Sequence, residues 1–189
     1  MANRDLGFSD RNDLPTLRRI ALSHPAVSVE VALALSRLWR QLGPPEVIVC
    51  IGTDRATGDA LGPLVGTYLG EVEGFPVPIV GNLEEPIHAV NLRQWIESRP
   101  EWRTRRLLAI DASLGKPEEV GMLSVGLGPL RPGAGVNKDL PALGTYFITG
   151  TVNVGGFLDY FVLQNTRLSL VMKMARAISV GLQQSFSML

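Results

Sequence analysis

Three aspartates that follow apolar runs are the residues of this chain best placed to do chemistry. Asp54 and Asp59 stand in the polar, glycine-punctuated segment Gly52-Thr-Asp-Arg-Ala-Thr-Gly-Asp-Ala-Leu-Gly-Pro63, directly after Val47 to Ile51, and Asp111 closes the run Leu107-Leu-Ala-Ile. Carboxyl groups held a few Å apart cannot both ionise cheaply, so one pKa rises and the pair shares a proton. Such a pair can activate water with one member and protonate a carbonyl or leaving amine with the other. That is the chemistry of peptide-bond hydrolysis.

The aspartates can act together only if the chain folds to bring them together. Val47 to Ile51 and Leu107 to Asp111 are short apolar runs bounded by turn signals, the pattern of strands covered on both faces. From Ser28, the spacing of Val31, Leu35, Leu38 and Leu42 predicts a helix stopped by Gly43-Pro44-Pro45. Leu61 to Val72 reads as a second helix and Val77 to Val80 as a strand. A further helix is expected with Pro86 in its first turn and Ala89, Leu92, Trp95 and Ile96 on its buried face. Gly121 to Gly126 and Tyr146 to Thr149 complete the expected strands, and Leu168 to Leu182 forms a C-terminal helix after an Asn165 cap. Residues 1–26 read as an irregular arm with a short helix at Leu14 to Leu22, and 27–189 as a single α/β domain.

Strand, helix, strand, helix, strand predicts a parallel sheet with right-handed crossovers, hence a three-layer sandwich with a mostly parallel sheet. In such a sheet the carboxyl ends of the strands share one rim, where ligands collect. Asp111 can therefore approach the loop of Asp54 and Asp59. Plainer roles compete with this one: Asp59 as a helix cap, and Asp111 as organiser of a Ser113 to Gly115 turn.

Composition narrows the partners. The chain has 189 residues, 46% of them apolar, enough for one substantial core. Lys plus Arg and Asp plus Glu are both 18, so no global field draws it to nucleic acid or to an acidic membrane. The first residues lack an apolar signal core and no run reaches the roughly 18 apolar residues of a membrane span, so a cytoplasmic protein is expected. The single Cys50 excludes an internal disulfide, and its mid-strand position suits a small buried hydrophobe rather than a nucleophile. Glu84 and Glu85 could contact substrate or complement a helix end, and His88 beside them invites a metal site. The cluster Arg99, Arg103, Arg105 and Arg106 reads as a solvated edge. The loop Leu130 to Lys138 lacks the Gly-Lys-Ser/Thr ending of a phosphate loop.

Taken together, Cys50 to Pro63, Leu83-Glu-Glu-Pro-Ile-His88, Ala109-Ile-Asp-Ala-Ser113 and Asn165 to Met172 resemble the YyaC-type sporulation proteins, a group labelled spore proteases. The resemblance spans roughly Pro45 to Leu182. That group is similar in turn to the spore germination protease and, more distantly, to hydrogenase maturation proteases, which implies a phosphorylase/hydrolase-like α/β fold. Thr57 to Pro63 resembles the germination-protease segment holding one catalytic aspartate, which falls on Asp59. Ile110-Asp-Ala112 resembles the segment holding the second, on Asp111. Pro132 to Lys138 also has a counterpart there. No histidine occurs in Tyr146 to Gly156, where the maturation proteases place one that helps bind nickel.

The resemblance thus implies an aspartic-type peptidase in the cytoplasm of a spore-forming cell, with Asp59, Asp111 and Asp54 as the catalytic set. Glu84, Lys138 and Asn153 are the candidate substrate contacts, Lys138 by stabilising developing negative charge or, more plainly, as a solvated loop lysine. Neither metal nor cofactor is expected. The partner is a protein or peptide substrate, a spore protein among the candidates, and a homo-oligomer is left open. Two rivals stand beside this reading. One is a catalytically silent sporulation factor that binds a protein through the same acidic rim. The other is a metal-dependent peptidase using Asp59, Asp111 and Glu84 or His88.

Overall fold

A computed structural model describes residues 16–132 and 141–189. In chain order its elements are β1 (Thr16–Ala21), α1 (Val27–Leu42), β2 (Val47–Cys50), α2 (Leu61–Gly70), β3 (Ile79–Val80), α3 (Leu92–Glu97), β4 (Leu107–Gly115), β5 (Met122–Leu127), β6 (Tyr146–Val154), α4 (Asp159–Gln164) and α5 (Leu168–Ser187). The six strands form one sheet in the order β1-β5-β6-β4-β2-β3. Pairing is parallel from β6 through β4 and β2 to β3, and antiparallel where β5 joins β6 and β1 joins β5.

Both parities of the central strands are apolar because both faces are covered. Ile48 and Cys50 of β2 and Leu108 and Ile110 of β4 enter one cluster with Leu35, Leu61, Val65, Met174 and Ile178 from α1, α2 and α5. Val47, Val49, Leu107 and Ala109 enter the other, with Leu92 of α3 and Ile87. The protein is therefore an α/β three-layer sandwich with a mostly parallel sheet, as its sequence predicts. Burial of each large side chain in these layers is worth about 1.5–3 kcal/mol.

One tie between layers can be tested alone. The hydroxyl of buried Tyr146, at the start of β6, donates to the Gly43 carbonyl at the end of α1 over 2.5 Å. Tyr146→Phe leaves that carbonyl short of a partner and should cost about 1 kcal/mol, read as a lower midpoint in urea unfolding. An unchanged midpoint would mean that the bond contributes nothing net.

Topology decides where the aspartates meet. From β2 the chain passes through α2 on one face to β3, then through α3 on the opposite face and back across β2 to β4. The two connections cover opposite faces of the sheet, and the carboxyl ends of the adjacent parallel strands β2 and β4 lie side by side on one rim. Doubly wound sheets bind ligands at such a switch point.

Several local expectations give way to tertiary pairing. The segment expected as a helix within an irregular arm is β1, whose Ile20 is buried and whose register runs Arg18 to Ala21 against Val125 to Met122. Sheet extension and ion pairs from Arg18 to Glu30 and Arg19 to Glu119 override its weak helical pattern. Pro86 lies outside any helix: the chain from Gly81 to Asn91 is extended and turned, Ile87 bridges Ile51, and α3 starts only at Leu92. Ser113 to Gly115 is strand rather than turn, because β6 continues alongside through Val154. Asn165 ends α4 rather than capping α5, whose N-cap is Arg167.

Candidate functional site

Asp111 lies five residues into β4, on the parity of Leu107 and Ala109, opposite Thr149 of β6. On its other side, β2 stops pairing after the Ile51 N–H donates to the Ile110 carbonyl over 2.7 Å. Asp111 is thus the first residue of β4 without β2 beside it, and the loop after β2 takes that place. Gly52 begins the loop at φ +140°, where a Cβ would run into the Asp59 carbonyl oxygen. Only glycine accepts both the torsion and the approach. Thr53 N–H then donates to the Asp59 carbonyl over 3.1 Å and closes the loop, so that the residues at its two ends meet at the tip of β2.

Asp59 sits in a short 3-10 turn, Gly58–Ala60, that leads into α2. Its expected role as a cap is not seen: the N-cap of α2 is Ala60, and neither that start nor the start of the 3-10 turn has a side-chain cap hydrogen bond. Pro63 and the preceding turn set the helix start without it. Freed from capping, the Asp59 carboxyl is largely buried, and desolvation pushes its pKa from 3.8 up to about 6.

Asp111 is 8% exposed. Burial raises its pKa well above the ordinary carboxylate range, the negative charge of Asp59 raises it further, and the Ala112 N–H, donating to Asp111 Oδ1 over 2.8 Å, lowers it. Both carboxyls are thus poorly solvated, and Asp111 registers the charge of Asp59. A carboxyl pair that shares one proton supplies an acid and a base together.

Other candidates fall elsewhere. Asp54 is exposed on the outer turn, and the hydrogen bond that holds this turn is made by Thr53 Oγ1, which accepts from Arg55 N–H over 3.3 Å. Glu84 is exposed in the loop after β3, on the same carboxyl rim; Asn82 Oδ1 accepts from the N–H groups of Glu84 and Glu85. No helix starts there, so these acids do not complement a helix end. His88 Nδ1 accepts from Val90 N–H over 3.2 Å, and the His88 backbone N–H donates to Asn91 Oδ1 over 2.8 Å. Among the described residues no three of His, Cys, Asp and Glu gather as a metal could use them. Lys138 lies outside the described residues. Burial pushes the Cys50 thiol far up and leaves it inert.

Asn153, near the end of β6, is committed to structure. Its amide donates to the Val162 carbonyl and to Thr166 Oγ1, over 3.4 and 3.2 Å, and so ties β6 to α4. The sequence reading missed α4 altogether. Its Leu163, with Thr166 just beyond it, packs on Gly58, where a Cβ would stand 2.7 Å from Leu163 Cδ2 and 3.0 Å from Thr166 Oγ1. The residue before Asp59 is therefore held by a helix far away in sequence. The only local signal was Gly155-Gly156 ahead of a run of apolar residues.

Comparison with known proteins adds family context. The model of a family described as "Protein of unknown function (DUF1256)" matches residues 19–181. "Uncharacterized protein YyaC" of Bacillus subtilis (strain 168) is 50% identical over 148 residues, 78% of this chain and 72% of that protein. Among solved structures, a NiFe hydrogenase maturation protease HycI from Thermococcus kodakarensis KOD1 aligns with a TM-score of 0.43 at 14% identity, over 74% of this chain and 91% of that one. No helix among the described residues is long and apolar enough to cross a membrane.

Proposed function

The chain belongs to the DUF1256 family, and from the two desolvated acids at its switch point we propose that it is a peptidase in which Asp59 and Asp111 hydrolyse a peptide bond of a protein substrate. The observation that carries this reading is the rise of both carboxyl pKa values on one rim, by desolvation in each and at Asp111 also by the charge of Asp59. A structural acid is held by donors that stabilise its charge, whereas these two are raised, and such pairs concentrate at catalytic centres. The resemblance of Thr57 to Pro63 and of Ile110 to Ala112 to the germination-protease segments supports the same two residues.

Water bound between the carboxyls gives its proton to the ionised member as it attacks the carbonyl carbon. The protonated member donates first to the carbonyl oxygen. As the tetrahedral species collapses, a carboxyl that holds a proton passes it to the leaving nitrogen. Asp59, the more exposed of the two, is the base, and the more deeply buried Asp111 is the acid. Asp54 and Glu84 stand on the same rim, where they can select a substrate rather than react with it. The resemblance points to a protein of the sporulating cell as substrate. A silent binding factor fits less well, because it leaves two poorly solvated acids without a use.

This assignment sets a pH dependence. Loss of a proton from the pair near pH 6 creates the base, so kcat/KM should rise through about pH 6, and loss of the second proton should make it fall at higher pH. The check is to follow new amino termini released from an unfolded protein such as carboxymethylated casein between pH 4 and 10. Absence of cleavage at every pH, or a rate that falls steadily from pH 4, would contradict the proposal.

A further inference from the structure

The turn that carries Asp59 does not hold itself. Gly58–Ala60 is a single 3-10 turn without a side-chain cap, and the backbone hydrogen bond from Ala60 N–H to the Thr57 carbonyl is long at 3.3 Å. A lone turn fixes several torsions for each bond it makes, so its shape must come from what packs on it. On one side that support is the tip of β2, where the Asp59 carbonyl accepts from Thr53 N–H and lies against Gly52. On the other side it is Leu163 at the end of α4 and Thr166 just beyond, both buried and both against Gly58. A Cβ on Gly58 would stand 2.7 Å from Leu163 Cδ2, 3.0 Å from Thr166 Oγ1 and 3.2 Å from Leu163 Cα. Gly58 is not among the glycines with positive φ, so it is the close approach of α4, and not the torsion, that demands glycine there.

This second support is anchored in turn. Leu163 enters the same apolar cluster as Ala56 and Ala60, which flank the turn in sequence. The Thr166 hydroxyl donates to the Val162 carbonyl over 2.9 Å and accepts from the Asn153 amide over 3.2 Å. Asn153 belongs to β6, whose pairing with β4 places Thr149 opposite Asp111. One frame therefore carries both acids. Asp111 stands on β4, β6 is paired to β4, and Asn153 and Thr166 link β6 to the turn of Asp59.

We infer that Leu163 and Thr166 are positioning residues for Asp59: acting through Gly58, they fix where its carboxyl stands on the rim relative to Asp111. The inference rests on the peptidase reading for the use made of that position, but not for the position itself. A reacting group misplaced by about 1 Å can cost about 10²-fold in rate, so a clamp on the turn governs kcat without touching substrate.

The test combines kinetics with carbon-13 NMR titration of the Asp59 and Asp111 carboxyls in the absence of substrate. Gly58→Ala inserts a methyl between the turn and α4. It should lower kcat by about 10²-fold with KM nearly unchanged. The Asp59 pKa should move down from about 6 toward 3.8 as water reaches the carboxyl. Thr166→Val keeps the bulk and loses the hydroxyl, and it should move both readouts the same way, with about a tenfold loss in kcat. Thr166→Ser, which keeps the hydroxyl, should restore both. A merely structural role would lower the urea midpoint and leave kcat and the titrations of the folded protein as in the wild type. If Gly58→Ala does not fold, the two Thr166 variants carry the test. Should the wild type cleave while folded Gly58→Ala and Thr166→Val proteins keep either its kcat or its Asp59 titration, the inference is overturned and the peptidase reading is untouched. Should the wild type cleave nothing, the peptidase reading falls. A shifted Asp59 titration then still upholds the clamp, and an unmoved one overturns it as well.

Discussion

Asp111→Asn protein is expected to lose peptidase activity by about 10³-fold or more in kcat/KM, with its fold intact. The amide matches the carboxyl in shape and keeps an oxygen to accept from the Ala112 N–H, so β4 and its pairing have no reason to move. What disappears is the proton that the pair delivers to the carbonyl oxygen and the leaving nitrogen. Asp59→Asn should produce a loss of similar size by removing the base. The double variant should be little worse than either single one, because the two groups act as a unit. Kinetics on a peptide selected from cleaved sites measures all three. Full activity in either single variant would remove that residue from the mechanism, and simple multiplication of the two losses would argue against a shared proton.

The same substitutions should make the protein more stable at high pH. The Asp59 carboxyl has a pKa of about 6 when folded against an ordinary 3.8, and Asp111 is raised as well. Between these limits the folded state binds more protons than the unfolded chain, so stability falls as pH rises through the window from about 4 to the folded values. Below about pH 4 both states are protonated and the penalty vanishes. For Asp59 a rise of roughly two units is at most about 3 kcal/mol, reduced by its partial contact with solvent. Asp59→Asn should therefore raise the unfolding free energy at pH 8 by about 1–2 kcal/mol and change it little at pH 4. Urea titrations at the two pH values test this. A variant that is less stable at pH 8 would show that the carboxylate is satisfied by its surroundings and serves structure. Stability gained together with activity lost is the mark of a strained catalytic group.

Where the sequence was legible, periodicity or punctuation carried the signal. Val47 to Ile51 and Leu107 to Asp111 are apolar at every position, and only a strand buried on both faces needs that. Ser28 to Leu42 carries a one-sided stripe and a Gly-Pro-Pro stop, and the observed helix ends at Leu42. Legibility failed where pairing partners are remote. Thr16 to Ala21 has no pattern that names β5 as its neighbour, and β1 exists because an exposed edge of β5 is there to be covered. Asn165 could end one helix or begin another, and the choice fell to α4, whose Leu163 has Gly58 to pack on. Asp59 followed the same rule: position alone favoured a cap, and the packing around the 3-10 turn turned its carboxyl away from that role.

By itself, then, the sequence determined the layers, the parallel centre of the sheet and the fact that Asp59 and Asp111 follow strands whose carboxyl ends share one rim. These depend on local apolar spacing and on the handedness of strand-helix-strand connections, both of which are written along the chain. The tertiary structure alone decided that β2 stops beside Ile110 so that Asp111 faces the loop, that Asp59 is desolvated rather than capping, and that α4 leans on Gly58. Each of these is a matter of which groups exclude water from which. Desolvation is set by neighbours distant in sequence, and no run of residues read in order can carry it.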